Sequence, residues 1–132
     1  MQRFTELSED ERTERLLRVA GKGLLAYGLV GDLRLVAGDA DAVFRLRAGG
    51  HSYAVRVSAA GRDHASLLRE LVWLAALGRD TRLAIPEPVL TLTGDLFRSV
   101  SMEGVPGTRA CAVQRWVEGE RREAEPREDE AA

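Results

Sequence analysis

Residues 42–77 read AVFRLRAGGHSYAVRVSAAGRDHASLLRELVWLAAL, and this stretch decides the fold. Apolar and polar side chains alternate on both sides of Gly49-Gly50, which predicts two β-strands joined by a tight turn. Leucines then recur at helical spacing up to Leu77, which predicts a helix. This order places Arg56 on an inner strand and Glu70 in the middle of the next helix. We therefore expect the two side chains to lie within reach of each other.

Further elements are predicted on both sides of this stretch. Ser8-Glu9-Asp10-Glu11 has the pattern of a capping box, and the apolar spacing after it predicts a helix over 9–27. Residues 33–36 alternate as a strand. The second helix is expected to end at Gly78, with Trp73 widening its buried face. A hairpin of strands 89–92 and 96–100, a turn over 102–108 and a last strand over 110–117 are predicted to follow.

The predicted fold class is therefore α+β. An antiparallel sheet of about five strands carries one helix across a face, with another helix at the N-terminus. We assign residues 1–119 to one folded lobe and residues 120–132 to a charged, disordered tail, because the apolar pattern stops after Gly119.

Composition and charge exclude several classes of function. The net charge is −2, but residues 118–132 hold seven acids and three arginines, so the remaining chain carries about +2. That charge is too small to indicate a nucleic-acid surface, and no apolar run is long enough for a membrane span. Cys111 is the only cysteine, which favours a buried core thiol and a cytoplasmic location.

Five segments in order resemble the N-terminal lobe of the aminoglycoside phosphotransferase / choline-homoserine kinase superfamily, a protein-kinase-like fold. No single segment is specific, but the ordered set is. The segments are Ala42–Leu46, Tyr53–Val57, Glu70–Leu77, Ile85–Pro88 and Gln114–Gly119.

The resemblance implies a role for individual residues and ATP as the bound nucleotide. Arg56 matches the family's strand Lys or Arg that contacts the phosphates, and Glu70 matches the helix acid that holds it. The turn that begins at Gly38 matches the phosphate-covering turn. Gln114 and Trp116 lie in the segment whose backbone binds adenine. Within the turn, Asp39 and Asp41 place carboxylates where they would repel phosphates unless Mg²⁺ intervenes.

The resemblance also implies that the chemistry belongs to a second lobe, with a His-Gly-Asp…Asn loop and a later Asp for Mg²⁺. This sequence contains no Asn, and its two histidines both lie in the first lobe. We assign no catalytic residue and no metal ligand, and we expect Mg²⁺ only together with a second lobe. The chain alone is predicted not to transfer phosphate, being a truncated kinase or one that acts with a lobe encoded elsewhere.

Two other interpretations stay open. The chain could be a non-catalytic interaction module that docks a partner, or self-associates, through the face that a second lobe would cover. We expect apolar surface for such docking near Val113, Trp116 and the Pro86–Pro88 segment. Alternatively, Arg56 and Glu70 form an ordinary ion pair in a generic α+β domain.

Overall fold

A computed structural model describes residues 7–38, 41–81 and 84–118. Within these ranges the elements are two helices, a short 3₁₀ turn and six strands. They are α1 (Glu9–Leu24), the 3₁₀ turn (Leu25–Tyr27), β1 (Asp32–Ala37), β2 (Ala42–Ala48), β3 (His51–Val57), α2 (His64–Asp80), β4 (Pro88–Val89), β5 (Arg98–Met102) and β6 (Val105–Arg115). The predicted α+β class is confirmed, with six strands rather than about five. The predicted tail over 120–132 lies outside the described residues.

The strands form one antiparallel sheet in the order β1-β2-β3-β6-β4, and β5 also pairs with β6. The turn at Gly49-Gly50 takes positive φ at both glycines and sets a regular β2–β3 register, with Val43 opposite Arg56. Strand β6 pairs with β3 along one edge and with β4 and β5 along the other. It is therefore the centre of the sheet.

The two faces of the sheet carry different helices. The larger core lies under α1, where Val19 and Leu24 pack against Phe44, Val55 and Val113. A smaller core lies on the other face, where Leu67 and Leu71 of α2 pack against small alanines of β6. Because successive strand residues point to opposite faces, Arg56 lies on the α2 side and its neighbours Val55 and Val57 lie on the α1 side.

The N-terminal helix forms as predicted. The Ser8 hydroxyl accepts a hydrogen bond from the backbone N–H of Glu11, and the Glu11 side chain accepts one from the Ser8 N–H, which completes the capping box. The 3₁₀ turn then carries the chain to Gly28, whose φ of 66° is the left-handed conformation expected of a residue that ends a helix.

The predicted hairpin over 89–100 is wrong. Its turn is present, because the Thr91 N–H donates to the Asp95 carbonyl at 2.8 Å, but the flanking strands do not pair with each other. Both pair with β6 instead. The predicted turn over 102–108 is also too long, since Gly104 with φ of 85° closes a tight turn and β6 begins at Val105. Pro106 then lies in an irregular part of the β5–β6 ladder, where a residue without an N–H is tolerated.

Two predictions about α2 are wrong as well. Gly78 does not end the helix, which continues to Asp80; it lies directly against Glu87, so its missing side chain permits close packing of the segment after α2. Trp73 does not widen the buried face, because it is 61% exposed. The apolar surface of α2 is larger than the area that two small alanines of β6 can cover.

In the described ranges, no helix is long and apolar enough to cross a bilayer.

Candidate functional site

The guanidinium of Arg56 is the centre of a polar cluster on the α2 side of the sheet. Its Nη1 donates to Oε2 of Glu70 at 2.9 Å and to Oε1 of Gln114 at 3.0 Å. Glu70 reaches it because Leu67 and Leu71 fix α2 against β6. The predicted contact between Arg56 and Glu70 is therefore present, and Gln114 joins it through its side chain.

Two further residues complete the cluster. Asp41 lies just before β2, and its Oδ2 accepts a hydrogen bond from Nη2 of Arg56 at 3.3 Å and another from Nη1 of Arg62. The Nη2 of Arg62 also donates to Oε1 of Glu70 at 3.1 Å. Two arginines and two carboxylates thus alternate in a closed ring. The side chains of Asp41 and Arg56 are only 10% and 17% exposed, whereas that of Glu70 is 40% exposed, so the Asp41 side of the ring is better shielded from solvent than an ordinary surface ion pair.

The charges in the ring change the acidity of Glu70. Burial by itself would raise the pKa of its carboxyl group, but the hydrogen bonds and positive charges of Arg56 and Arg62 outweigh burial and hold that pKa below its ordinary value. Glu70 therefore stays ionised at neutral pH and keeps both arginines oriented.

Gln114 connects the ring to the segment before β4. Its Nε2 donates to the Pro86 carbonyl at 2.8 Å while its Oε1 accepts from Arg56, and the side chain is almost fully buried. One amide thus joins the Arg56 cluster to residues 86–89. Beyond it, the backbone N–H of Arg115 donates to the Glu87 carbonyl at 2.8 Å. Trp116 and Val117 are the first residues past this ladder.

A second group of side chains lies at the other end of the same face of β3. The Arg45 guanidinium lies 4.6 Å from the centre of the Trp116 ring, and its Nη2 donates to the Ser52 hydroxyl at 3.0 Å. The Trp116 Nε1 donates to Glu118 at 3.1 Å. These residues line an open cavity of about 670 Å³ together with residues 87–89. Trp116 is therefore a surface residue at a cavity and not part of the core.

The structure brings together only part of the predicted site. Arg56, Glu70 and Gln114 are in direct contact, and Trp116 lies farther along the same face. Gly38 lines a different cavity of about 330 Å³ that is bordered by the first turns of α1, on the opposite side of the sheet. The neighbouring Asp39 lies outside the described residues.

Sequence reasoning missed Arg62 and the partners of Asp41. Asp41 was expected to repel phosphates, and the structure adds that its charge is paired with Arg56 and Arg62 within the protein. No role was predicted for Arg62. The residue after it, Asp63, caps α2 through the Ala65 N–H, and this cap leaves Arg62 in the loop, free to turn back towards the sheet. Among the described residues, no three metal-ligating side chains are close enough to hold an ion.

No protein-family model and no curated protein matches this sequence. Solved structures do match, and two of them are kinases. A microcompartment-associated aminopropanol kinase superposes with a TM-score of 0.68 and 25% identity, over 78% of this chain and 32% of that chain. An amicoumacin kinase in complex with AMP-PNP, Ca²⁺ and Ami superposes with a TM-score of 0.66 and 19% identity, over 85% of this chain and 34% of that chain. The chain has a kinase-like fold.

The resemblance to the N-terminal lobe of small-molecule kinases is thereby confirmed at the level of the fold. The chain spans about a third of the length of the two kinases that it matches. It therefore corresponds to one lobe of such a protein, and the activity of a whole kinase does not follow from the superposition.

Proposed function

We propose that this chain is the ATP-binding lobe of a small-molecule kinase of the aminoglycoside phosphotransferase type. The observation that carries the proposal is the contact between Arg56 and Glu70 at 2.9 Å, on a fold shared with two kinases. A guanidinium fixed by a carboxylate presents a fork of donors that suits phosphate oxygens.

The polar face of β3 offers a place for the whole nucleotide. We assign the phosphates to the Arg56 end and the base to the Trp116 end, where the 670 Å³ cavity lies. Between them lies Ala54, whose small side chain points to the same face as Arg56 and which pairs with Gln114 of β6. The Cα atoms of Arg56 and Ser52 are four residues apart on β3, which is about 13 Å, and this is the length of strand that the proposed nucleotide follows.

Catalysis is proposed to need a second lobe, in the same polypeptide or another, that supplies the catalytic acid and the Mg²⁺ ligands. A lobe that covers adenine on one side binds it weakly, since ligand sites normally enclose most of the ligand. We expect the dissociation constant of ATP for the chain alone to be on the order of millimolar, which corresponds to about −4 kcal/mol.

Titration of ATP, followed by NMR with and without Mg²⁺, tests the proposal. Arg56→Ala should weaken ATP binding about tenfold or more, because it removes a charge-assisted contact, and Arg56→Lys should retain part of it. Arg34→Ala is the matched control, since Arg34 forms an exposed ion pair with Asp32 on β1. Binding that Arg56→Ala leaves unchanged would remove Arg56 from the site.

A second candidate function is a non-catalytic module that self-associates. The observation that favours it is an apolar stripe on the outer face of α2, formed by Leu68, Val72 and Trp73, all exposed. Of the surface predicted for docking, Val113 does not contribute, because it is fully buried under α1. Light scattering of wild type and Trp73→Arg distinguishes the candidates: a dimer that the substitution dissociates supports the module, and a monomer at high concentration contradicts it.

A further inference from the structure

The carboxylate of Asp41 lies at the meeting point of three donors from other parts of the chain. Its Oδ2 accepts from the guanidinium groups of Arg56 and Arg62, and its Oδ1 accepts from the backbone N–H of Ala59 at 3.0 Å. The donors come from β3 and from the loop that joins β3 to α2. Two guanidinium forks and a main-chain N–H that converge on one point are a donor set suited to an oxyanion.

Other features indicate that another anion can take the place of the Asp41 carboxylate between the two arginines. Asp41 precedes β2, and among the described residues its carboxylate hydrogen-bonds only Arg56, Arg62 and the Ala59 N–H. The donors, in contrast, are held independently of it, because Glu70 bonds both arginines and Gln114 bonds Arg56. Removing the Asp41 charge therefore leaves the two guanidinium groups anchored.

The net charge of the ring depends on the Asp41 carboxylate. Arg56 and Arg62 carry two positive charges, and Asp41 and Glu70 carry two negative charges, so the ring is neutral. Without the Asp41 charge the same group carries a net charge of +1 and has donor groups without an acceptor. A phosphate oxygen that enters must replace the carboxylate, since a carboxylate and a phosphate repel each other at hydrogen-bonding distance.

We propose that Arg56 and Arg62 form a two-arginine site for a phosphate group, and that Asp41 closes this site as an internal competitor. Arg62 is then a second phosphate-binding residue beside Arg56, and phosphate binds when the carboxylate withdraws. The inference rests on the proposed nucleotide function for its biological ligand, but the anion site itself is defined by the ring.

The test compares three ligands on matched variants. Asp41→Asn removes the charge with little change of shape, and Asp32→Asn is the control, because it removes the carboxylate of the exposed Asp32–Arg34 pair. Each protein is titrated with tripolyphosphate, ATP and adenosine at constant ionic strength, after circular dichroism has confirmed folding. Asp41→Ala is a second variant, because the amide oxygen of an asparagine can still accept hydrogen bonds from the two arginines and keep phosphate out, whereas alanine cannot.

We expect Asp41→Asn or Asp41→Ala to tighten tripolyphosphate binding about tenfold or more, with no gain in Asp32→Asn and none for adenosine. Arg62→Gln in the Asp41→Asn background should abolish the gain. Unchanged tripolyphosphate affinity in both Asp41 variants, or a gain that survives Arg62→Gln, would overturn the inference.

The titration with ATP distinguishes failure of this inference from failure of the proposed function. A tripolyphosphate gain without any ATP binding supports the anion site and contradicts the nucleotide function. ATP binding that depends on Arg56 but is indifferent to Asp41 and Arg62 supports the function and overturns the internal competitor.

Discussion

Arg56 and Glu70 are joined by a hydrogen bond of 2.9 Å that ties the third strand of the sheet to α2. The contact is one side of a ring in which Asp41 and Arg62 supply the other charges. Since α2 has only a small apolar core with the sheet, the ring is a substantial part of what fixes the helix over this face.

Arg56→Ala should lower the free energy of unfolding by about 1–2 kcal/mol. The substitution leaves the Gln114 oxygen and one Glu70 oxygen without the donor that they have in the fold, and partly buried acceptors without donors are costly. Urea unfolding followed by circular dichroism measures the change. Arg34→Ala, from a pair exposed to solvent, should cost less than about 0.5 kcal/mol. Equal costs for the two substitutions would show that the ring contributes no more than a surface pair.

The stabilising effect of Glu70 should depend on pH in a defined direction. Its folded-state pKa is held below the ordinary value, so ionised Glu70 stabilises the fold above the unfolded-state pKa of about 4.3. This contribution is lost as the pH falls through the folded-state pKa. Wild type should therefore be more stable than Glu70→Gln at neutral pH, and the difference in unfolding free energy should shrink below about pH 4.

Urea midpoints measured from pH 7 to pH 3 on both proteins provide this comparison. Glu103→Gln is the control, since Glu103 is exposed and makes no hydrogen bond or ion pair with any residue that the structure describes. A difference between wild type and Glu70→Gln that stays constant down to pH 3 would contradict the direction assigned to the Glu70 pKa.

The features that the sequence predicts well are local. The capping box of α1 and the Gly49-Gly50 turn depend on residues within a few positions of each other, and the structure has both. The contact between Arg56 and Glu70 also follows from local order, because a strand and the next helix are joined by a short loop. Alternation along β3 then decides that Arg56 faces α2.

The features that the sequence does not predict depend on distant segments. The chain after α2 pairs with β6 instead of folding back on itself, since β6 offers a full edge to both β4 and β5. Gly78 resembles a helix stop but is required by the approach of Glu87. The position of Arg62 depends on where Asp41 lies, and no spacing rule relates the β1–β2 turn to the β3–α2 loop.

Cys111 should be unreactive while the protein is folded. The side chain is fully buried, and burial raises the pKa of its thiol to about 12, so almost no reactive thiolate exists at neutral pH. A disulfide reagent such as DTNB should modify it only at the rate at which the fold opens, and rapidly in denaturant. Fast labelling of folded protein at neutral pH would show that β6 is accessible at this residue.

The close approach of α1 to β6 requires glycine at one position of the helix. A side chain at Gly23 would place its Cβ 2.5 Å from the Sγ and 2.7 Å from the Cβ of Cys111, whereas nothing lies within 4 Å of a Cβ at Gly21. Both substitutions to alanine raise helix propensity by up to about 1 kcal/mol. Gly21→Ala should therefore stabilise the fold by about 0.5–1 kcal/mol, and Gly23→Ala should destabilise it by about 1–3 kcal/mol because α1 must move away from the sheet.

Thermal and urea unfolding of the two single variants measure the difference, and Gly21→Ala serves as the internal control for helix propensity. Cys111→Ala combined with Gly23→Ala should recover only part of the loss, because the Cβ of residue 111 remains in the way. If Gly23→Ala were as stable as Gly21→Ala, α1 could not lie as close to β6 as the packing of Gly23 on Cys111 requires, and the larger core would have to be arranged differently.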